Sequence, residues 1–192
     1  DAFKLLSTDS QVEGDRLATH LEKINNERKG IVASMVKEAK SHLKKRENIT
    51  DVIVIGNPEW KPSLLGLICN SLVEEYSRPV FAWGRDGDGI LKGSCRSYNG
   101  YNLFDLMSGT KNSFIEFGGH KGAGGFSVTL EQLTSLEENL SDSLQNLSSE
   151  EGKVENGLGI TLDDVTEGLW KTVSQFAPFG VGNEKPVFKI PQ

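Results

Sequence analysis

The segment FGGHKGAGGF, residues 117–126, sets one imidazole, His120, among five glycines and one alanine. Glycine-rich turns let the backbone come close to a ligand, and successive N–H groups in such turns commonly hold a phosphate. A tight turn that merely exposes a histidine would have the same composition. A second stretch, ILKGSCRSY at 90–98, reads as a strand. Side chains alternate faces along a strand, so Lys92, Ser94, Arg96 and Tyr98 share one face, and Leu91, Gly93, Cys95 and Ser97 the other. A lysine, a hydroxyl and an arginine in one row make an anion-facing surface, and arginine can grip phosphate oxygens through two parallel hydrogen bonds. An ordinary solvated strand face is the competing reading.

Groups that break bonds are harder to find. The three histidines, His20, His42 and His120, are scattered, and no Cys-x-x-Cys or similar cluster supplies a metal-ligand set. Asp86 and Asp88 alternate with glycines in RDGDG (85–89), a pattern that hairpin chemistry explains without a metal. No nucleophile sits beside a recognisable base. The pattern suits a site that binds and positions, so the isolated chain is expected to hold a substrate without cleaving it. Trp60 and Trp83 are candidates for base stacking, against core or rim packing as the commoner role.

The composition describes a soluble globular chain: 192 residues, 36% hydrophobic and 25% charged. The net charge of −6 argues against coating nucleic acid through bulk charge. The charge is uneven: residues 51–125 carry 7 Lys/Arg against 8 Asp/Glu, whereas 126–192 carry 4 against 11. A local phosphate site is compatible with the nearly neutral middle. No apolar run is long enough to span a bilayer and no signal peptide is evident, so no membrane partner is expected. Two cysteines, Cys69 and Cys95, each in an apolar or strand-like segment, fit a reducing cytosol and a cytoplasmic location.

The elements that must position these residues follow from periodicity. Apolar residues at steps of three and four predict one long helix over 9–46, with Thr8, Asp9 and Ser10 as cap candidates and Gly14 and Gly30 as weak points. DVIVIGN (51–57), PSLLGLICNSLVEEYSR (62–78) and PVFAWG (79–84) predict a parallel β-α-β unit. A hairpin at 85–89 then leads into the antiparallel strand 90–98. NLFDLMS (102–108) reads as a short helix and GFSVT (125–129) as a strand leaving the glycine turn. Leu133, Leu136, Leu140, Leu144 and Leu147 stripe an amphipathic helix over 131–149. Beyond a polar loop at 148–156, GLGITLDDV reads as a strand, VTEGLWKTVSQFAPF as a helix, and GVGNEKPVFKI as a glycine turn followed by a strand. The fold class is α/β: a mixed sheet flanked by helices, preceded by a long connector helix (1–48). A core occupies 49–150 and an extension 151–192.

Taken in order, NNERKGI (25–31), EWKPSLLGLICNSLVEEYSRPV (59–80), LKGSCRS (91–97), FGGHKGAGGFSV (117–128) and FAPFGVGNEKPVF (176–188) resemble the C-terminal half of the RecJ-type single-strand-specific exonucleases of the DHH phosphoesterase superfamily. The resemblance covers nearly the whole chain. The GGH-x-x-A-x-G element alone would indicate only the DHH-associated domain, shared with related phosphodiesterases and, more distantly, alanyl-tRNA synthetases. It implies a partner DHH domain, absent here, that holds manganese or magnesium, and a chain that begins near the interdomain linker. It implies single-stranded DNA as the ligand, with an oligonucleotide-binding domain beyond the APFGVGN element. It further implies that Ser94 and Arg96 grip phosphate, including a 5′-terminal one, with Lys92 and Ser97 of the same motif beside them. His120 would contact the phosphate near the scissile bond as the catalytic candidate, together with the surrounding backbone of Gly118, Gly119, Lys121 and Ala123. Lys61 stands where the family often has histidine, and Gly124 where it usually has alanine, a change expected to loosen the turn slightly. Two rivals are a phosphodiesterase for short oligonucleotides or cyclic dinucleotides, and a non-catalytic replication scaffold.

Overall fold

The computed structural model describes residues 1–86, 90–147, 157–180, 183 and 185–190. The Asp-Gly tip at 87–89, the polar loop at 148–156 and most of the Gly-Val-Gly turn near 181 lie outside the described residues. The chain divides into two compact units, Asp1–Glu150 and Glu151–Gln192.

In the first unit the helix expected over 9–46 is present as one continuous helix, α2 (Gln11–Leu43), and a short helix α1 (Ala2–Ser7) that the periodicity does not announce precedes it. Of the cap candidates, Ser10 starts α2: its hydroxyl accepts from Glu13 N–H. Gly14 and Gly30 do not interrupt α2, whose length of 33 residues corresponds to about 50 Å at ~1.5 Å per residue.

The sheet comprises β1 (Ile53–Gly56), β2 (Val80–Arg85), β3 (Leu91–Arg96), β4 (Glu116–His120) and β5 (Ala123–Val128) in the order β1-β2-β3-β5-β4. β1 and β2 are parallel, joined by α3 (Leu65–Tyr76), and every other pairing is antiparallel. The expected β-α-β unit and the following antiparallel strand are therefore present. Pro62 opens a 3₁₀ turn that leads into α3, where its missing N–H costs nothing. Helices α4 (Leu103–Gly109) and α5 (Leu130–Gln145) complete the unit.

Two apolar clusters lie on opposite faces of the sheet. On one face Phe81, Leu91, Cys95, Phe126 and Val128 pack with Leu103, Leu106 and Met107 of α4 and with Leu136, Leu140 and Leu144 of α5. The leucine stripe of α5 is thus core. On the other face Ile53, Ile55, Val80 and Ala82 pack under α3 and the C-terminal half of α2, through Met35, Ala39 and Leu43. Trp60 is 3% exposed and belongs to this second cluster, so it is core and not a stacking platform. Its Nε1 donates to Glu38 Oε2 at 2.9 Å, and Asn57 Nδ2 donates to Oε1 at 2.6 Å. These two donors hold the Glu38 carboxyl below the usual carboxylate range and tie α2 to the loop after β1.

In the second unit, β6 (Leu158–Gly159) pairs in parallel with β7 (Phe188–Lys189), and α6 spans Glu167–Ser174. The strand expected over GLGITLDDV is only two residues long. The Asp164 carboxylate accepts from Thr161 N–H at 2.8 Å and from its hydroxyl at 2.7 Å, which closes a 3₁₀ turn in place of an extended chain.

Candidate nucleic-acid interface

The glycine segment is a hairpin, not an isolated turn. β4 and β5 pair from Glu116↔Ser127 to His120↔Ala123, so Lys121 and Gly122 form its tip. The tip is pinned: Lys121 O accepts from Leu103 N–H at 3.0 Å, and Gly122 O from Ser97 N–H at 3.1 Å. Gly119 has φ of 153°, a conformation that side chains rarely adopt, and a Cβ there would come within 2.4 Å of Ala123 O. Gly124 lies in β5, outside the turn. A methyl at Gly124 would meet Met107 Cε at 2.9 Å and Cys95 Sγ at 3.0 Å. Glycine at 124 therefore lets α4 pack closely on the sheet and does not loosen the turn.

Residues directly opposite in a sheet share a face. The register β3–β5–β4 accordingly builds three rows on the face opposite α4 and α5: Arg96–Ala123–His120, Ser94–Gly125–Gly118 and Lys92–Ser127–Glu116. Two strand spacings put the Arg96 and His120 backbones about 10 Å apart. The middle row is floored by glycine. A Cβ at Gly118 would meet nothing within 4 Å, and one at Gly125 would meet only Gly93 O at 3.6 Å. The result is a shallow platform with a guanidinium and an imidazole at its two sides.

The predicted residues divide by what they already hold. Arg96 is half-buried, and its Nη1 donates to Cys95 O at 2.8 Å and Ser94 Oγ at 3.2 Å. Among the described residues no carboxylate pairs with Arg96 and Nη2 has no partner. Ser94 donates its one hydroxyl proton to Gly124 O at 3.3 Å, so it orients Arg96 more than it offers a donor of its own. Lys92 sits in the third row, ion-paired to Asp86 at 2.8 Å. Ser97 is not brought to the platform: it follows β3, and its hydroxyl donates to Tyr101 O within its own loop. Tyr98 also lies beyond β3 and does not extend the row. His120 is exposed, and no described residue hydrogen-bonds its ring.

Other chemistry is limited. Burial pushes the Cys69 thiol up to about 12 and the Cys95 thiol up as well, so neither supplies a thiolate near neutral pH. Among the described residues no group of three or more His, Cys, Asp or Glu is placed to hold a metal ion. No described helix is long and apolar enough to cross a membrane. A groove of about 1040 Å³ between α2 and α3, lined by Lys37, Lys44 and Lys45 over Val32, Val36 and Leu67, contains none of the predicted site residues. Size alone does not make it the site. Arg96 is fixed by two acceptors beside a bare floor, whereas Lys40 of the groove is taken up by Glu75.

Comparison with known proteins gives a consistent picture. The DHHA1 domain family matches residues 49–146. The single-stranded-DNA-specific exonuclease RecJ of Bacillus subtilis is 31% identical over 96% of this chain, which spans 24% of that relative. The RecJ of Dickeya dadantii is 28% identical over 96% of the chain, which spans 34% of it. The chain thus covers roughly a quarter to a third of these relatives. The crystal structure of RecJ in complex with Mg2+ from Thermus thermophilus superposes with a TM-score of 0.77 at 23% identity, over 97% of this chain and 29% of that one, and shares the fold.

Proposed function

Because the chain belongs to the DHHA1 domain family, in its RecJ-type form, we propose that it is the nucleic-acid-binding portion of a 5′-to-3′ single-stranded DNA exonuclease. In this reading residues 1–48 connect to a DHH domain that carries manganese or magnesium, and the platform holds substrate phosphates against that metal centre. Residues 151–192 lead toward an oligonucleotide-binding domain. The observation that carries the reading is the Arg96–Ala123–His120 row beside a glycine floor. A bare floor lets a sugar–phosphate backbone approach the sheet, and two nitrogen donors at its sides match phosphate oxygens.

Arg96 would grip a phosphate, including a 5′-terminal one, and Ser94 would hold Arg96 in place. His120 would donate to the phosphate that reacts, stabilising charge as it develops. Relatives named as single-stranded-DNA-specific exonucleases match across 96% of the chain. They support this reading over a phosphodiesterase for short oligonucleotides or a non-catalytic scaffold.

A titration of the 192-residue chain with fluorescent (dT)12 and with a duplex of the same length tests it. Saturable binding of the single strand, tighter than of the duplex and weakened by salt through counterion release, is the expected result. Equal affinity for both, or no binding at low salt, would remove the reading.

A further inference from the structure

Gly66 is the second residue of α3, where the helix starts beside β3. A Cβ built at this position would stand 2.8 Å from Arg96 Nη2, 3.3 Å from Ser94 Oγ and 3.4 Å from Arg96 Cζ. Among the described glycines it is the one whose three nearest atoms all belong to Ser94 and Arg96. Other tight glycines differ in kind. A Cβ at Gly84 would strike Trp60 O at 2.2 Å, and one at Gly93 the Phe126 ring at 2.0 Å. Alanine at those sites would displace backbone or core. At Gly66 it would displace the far end of the flexible Arg96 side chain and press lightly on the Ser94 hydroxyl, with no backbone atom in the way.

That difference separates two consequences that normally travel together. Glycine is a poor helix former, so alanine at a helical position without backbone conflict is neutral or stabilising. The same methyl would occupy the space in which the guanidinium lies. With Nη1 fixed by Cys95 O and Ser94 Oγ, the Arg96 head cannot yield to a methyl beside Nη2 without breaking one of those bonds or turning Nη2 away.

We propose that Gly66 is a positioning residue for phosphate binding: its missing side chain keeps the space that lets Arg96 present Nη2 to the ligand. The proposal rests on the reading that Arg96 grips phosphate. Gly66→Ala, Arg96→Ala and the double variant of the full chain separate the two. Each is melted and titrated with 5′-phosphorylated (dT)12. Gly66→Ala is expected to keep or raise Tm by about 2 °C and to weaken binding roughly threefold to tenfold, a fraction of a charge-assisted contact. In the Arg96→Ala background it should change binding by less than about twofold, since coupled residues are not additive.

Wild-type binding by Gly66→Ala, with binding lost in Arg96→Ala, would overturn the role of Gly66 and leave the reading of Arg96 standing. An equal loss from Gly66→Ala in both backgrounds would show that it acts without Arg96, and a lowered Tm would make it structural; either overturns the proposal. Wild-type binding by Arg96→Ala would remove the reading itself and the proposal with it.

Discussion

Replacing His120 with alanine is expected to leave folding almost untouched and to cripple turnover. The ring is exposed, is hydrogen-bonded by no described residue, and faces Ala123 across the hairpin. Its removal should shift Tm by no more than about 2 °C, the effect of a surface change of about 0.5 kcal/mol. In a longer enzyme that includes the proposed DHH domain, the rate at saturating DNA should fall on the order of a hundredfold. That is the scale seen when one donor to a reacting, charge-accumulating group is deleted. A melting curve and a steady-state rate on the same variant decide the matter. A large drop in Tm would mean that His120 ties down its own hairpin. An unchanged melt with an unchanged rate would leave the imidazole with no role in either.

Arg96→Ala should weaken binding of a 5′-phosphorylated strand by roughly tenfold to a hundredfold, the worth of a charge-assisted contact of about 1.5–3 kcal/mol. The loss for a 5′-hydroxyl strand should be smaller. Arg96→Lys should fare little better than alanine. A lysine ammonium is a point charge on a flexible stem and cannot occupy Cys95 O and Ser94 Oγ while presenting a second nitrogen in a fixed plane. Fluorescence anisotropy with the two strand types, on protein whose melt is confirmed, measures both effects. Equal losses for the two ends would assign Arg96 to general backbone contact and not to the strand terminus.

The parts of this fold with strong periodicity were open to reading from sequence. The parallel β-α-β unit announces itself through VIVI and the apolar face of 62–78, and the leucine stripe of α5 through its spacing. The alternation in β3 correctly sends Cys95 and Gly93 to the core face, leaving Lys92, Ser94 and Arg96 on the other.

β4 escaped because Glu116–His120 is an edge strand with two glycines and no apolar alternation, so its signal is the register and not the composition. The same register brings Arg96 and His120 into one row across β5, a relation between residues 24 positions apart that no local pattern encodes. Ser97 is grouped with Ser94 and Arg96 through the family motif, although strand alternation sets it on the opposite face; the chain leaves the strand at Arg96 and turns the Ser97 hydroxyl into the following loop. Gly66 lies inside the predicted helix 62–78 and carries no local signal of its own. Its meaning depends on a guanidinium contributed from a strand 30 residues later.

Nucleic-acid phosphate is expected to sit on the glycine-floored platform. A proton–nitrogen NMR titration of the chain with 5′-phosphorylated (dT)6 tests it most directly, because glycine amides resonate apart from most others. The amides of Gly118, Gly119, Gly122 and Gly125 should shift together and saturate at one affinity, with the Arg96 Nε–H signal moving alongside them. Shifts confined to Lys37, Lys44 and Lys45 in the groove between α2 and α3, with the four glycines still, would contradict it.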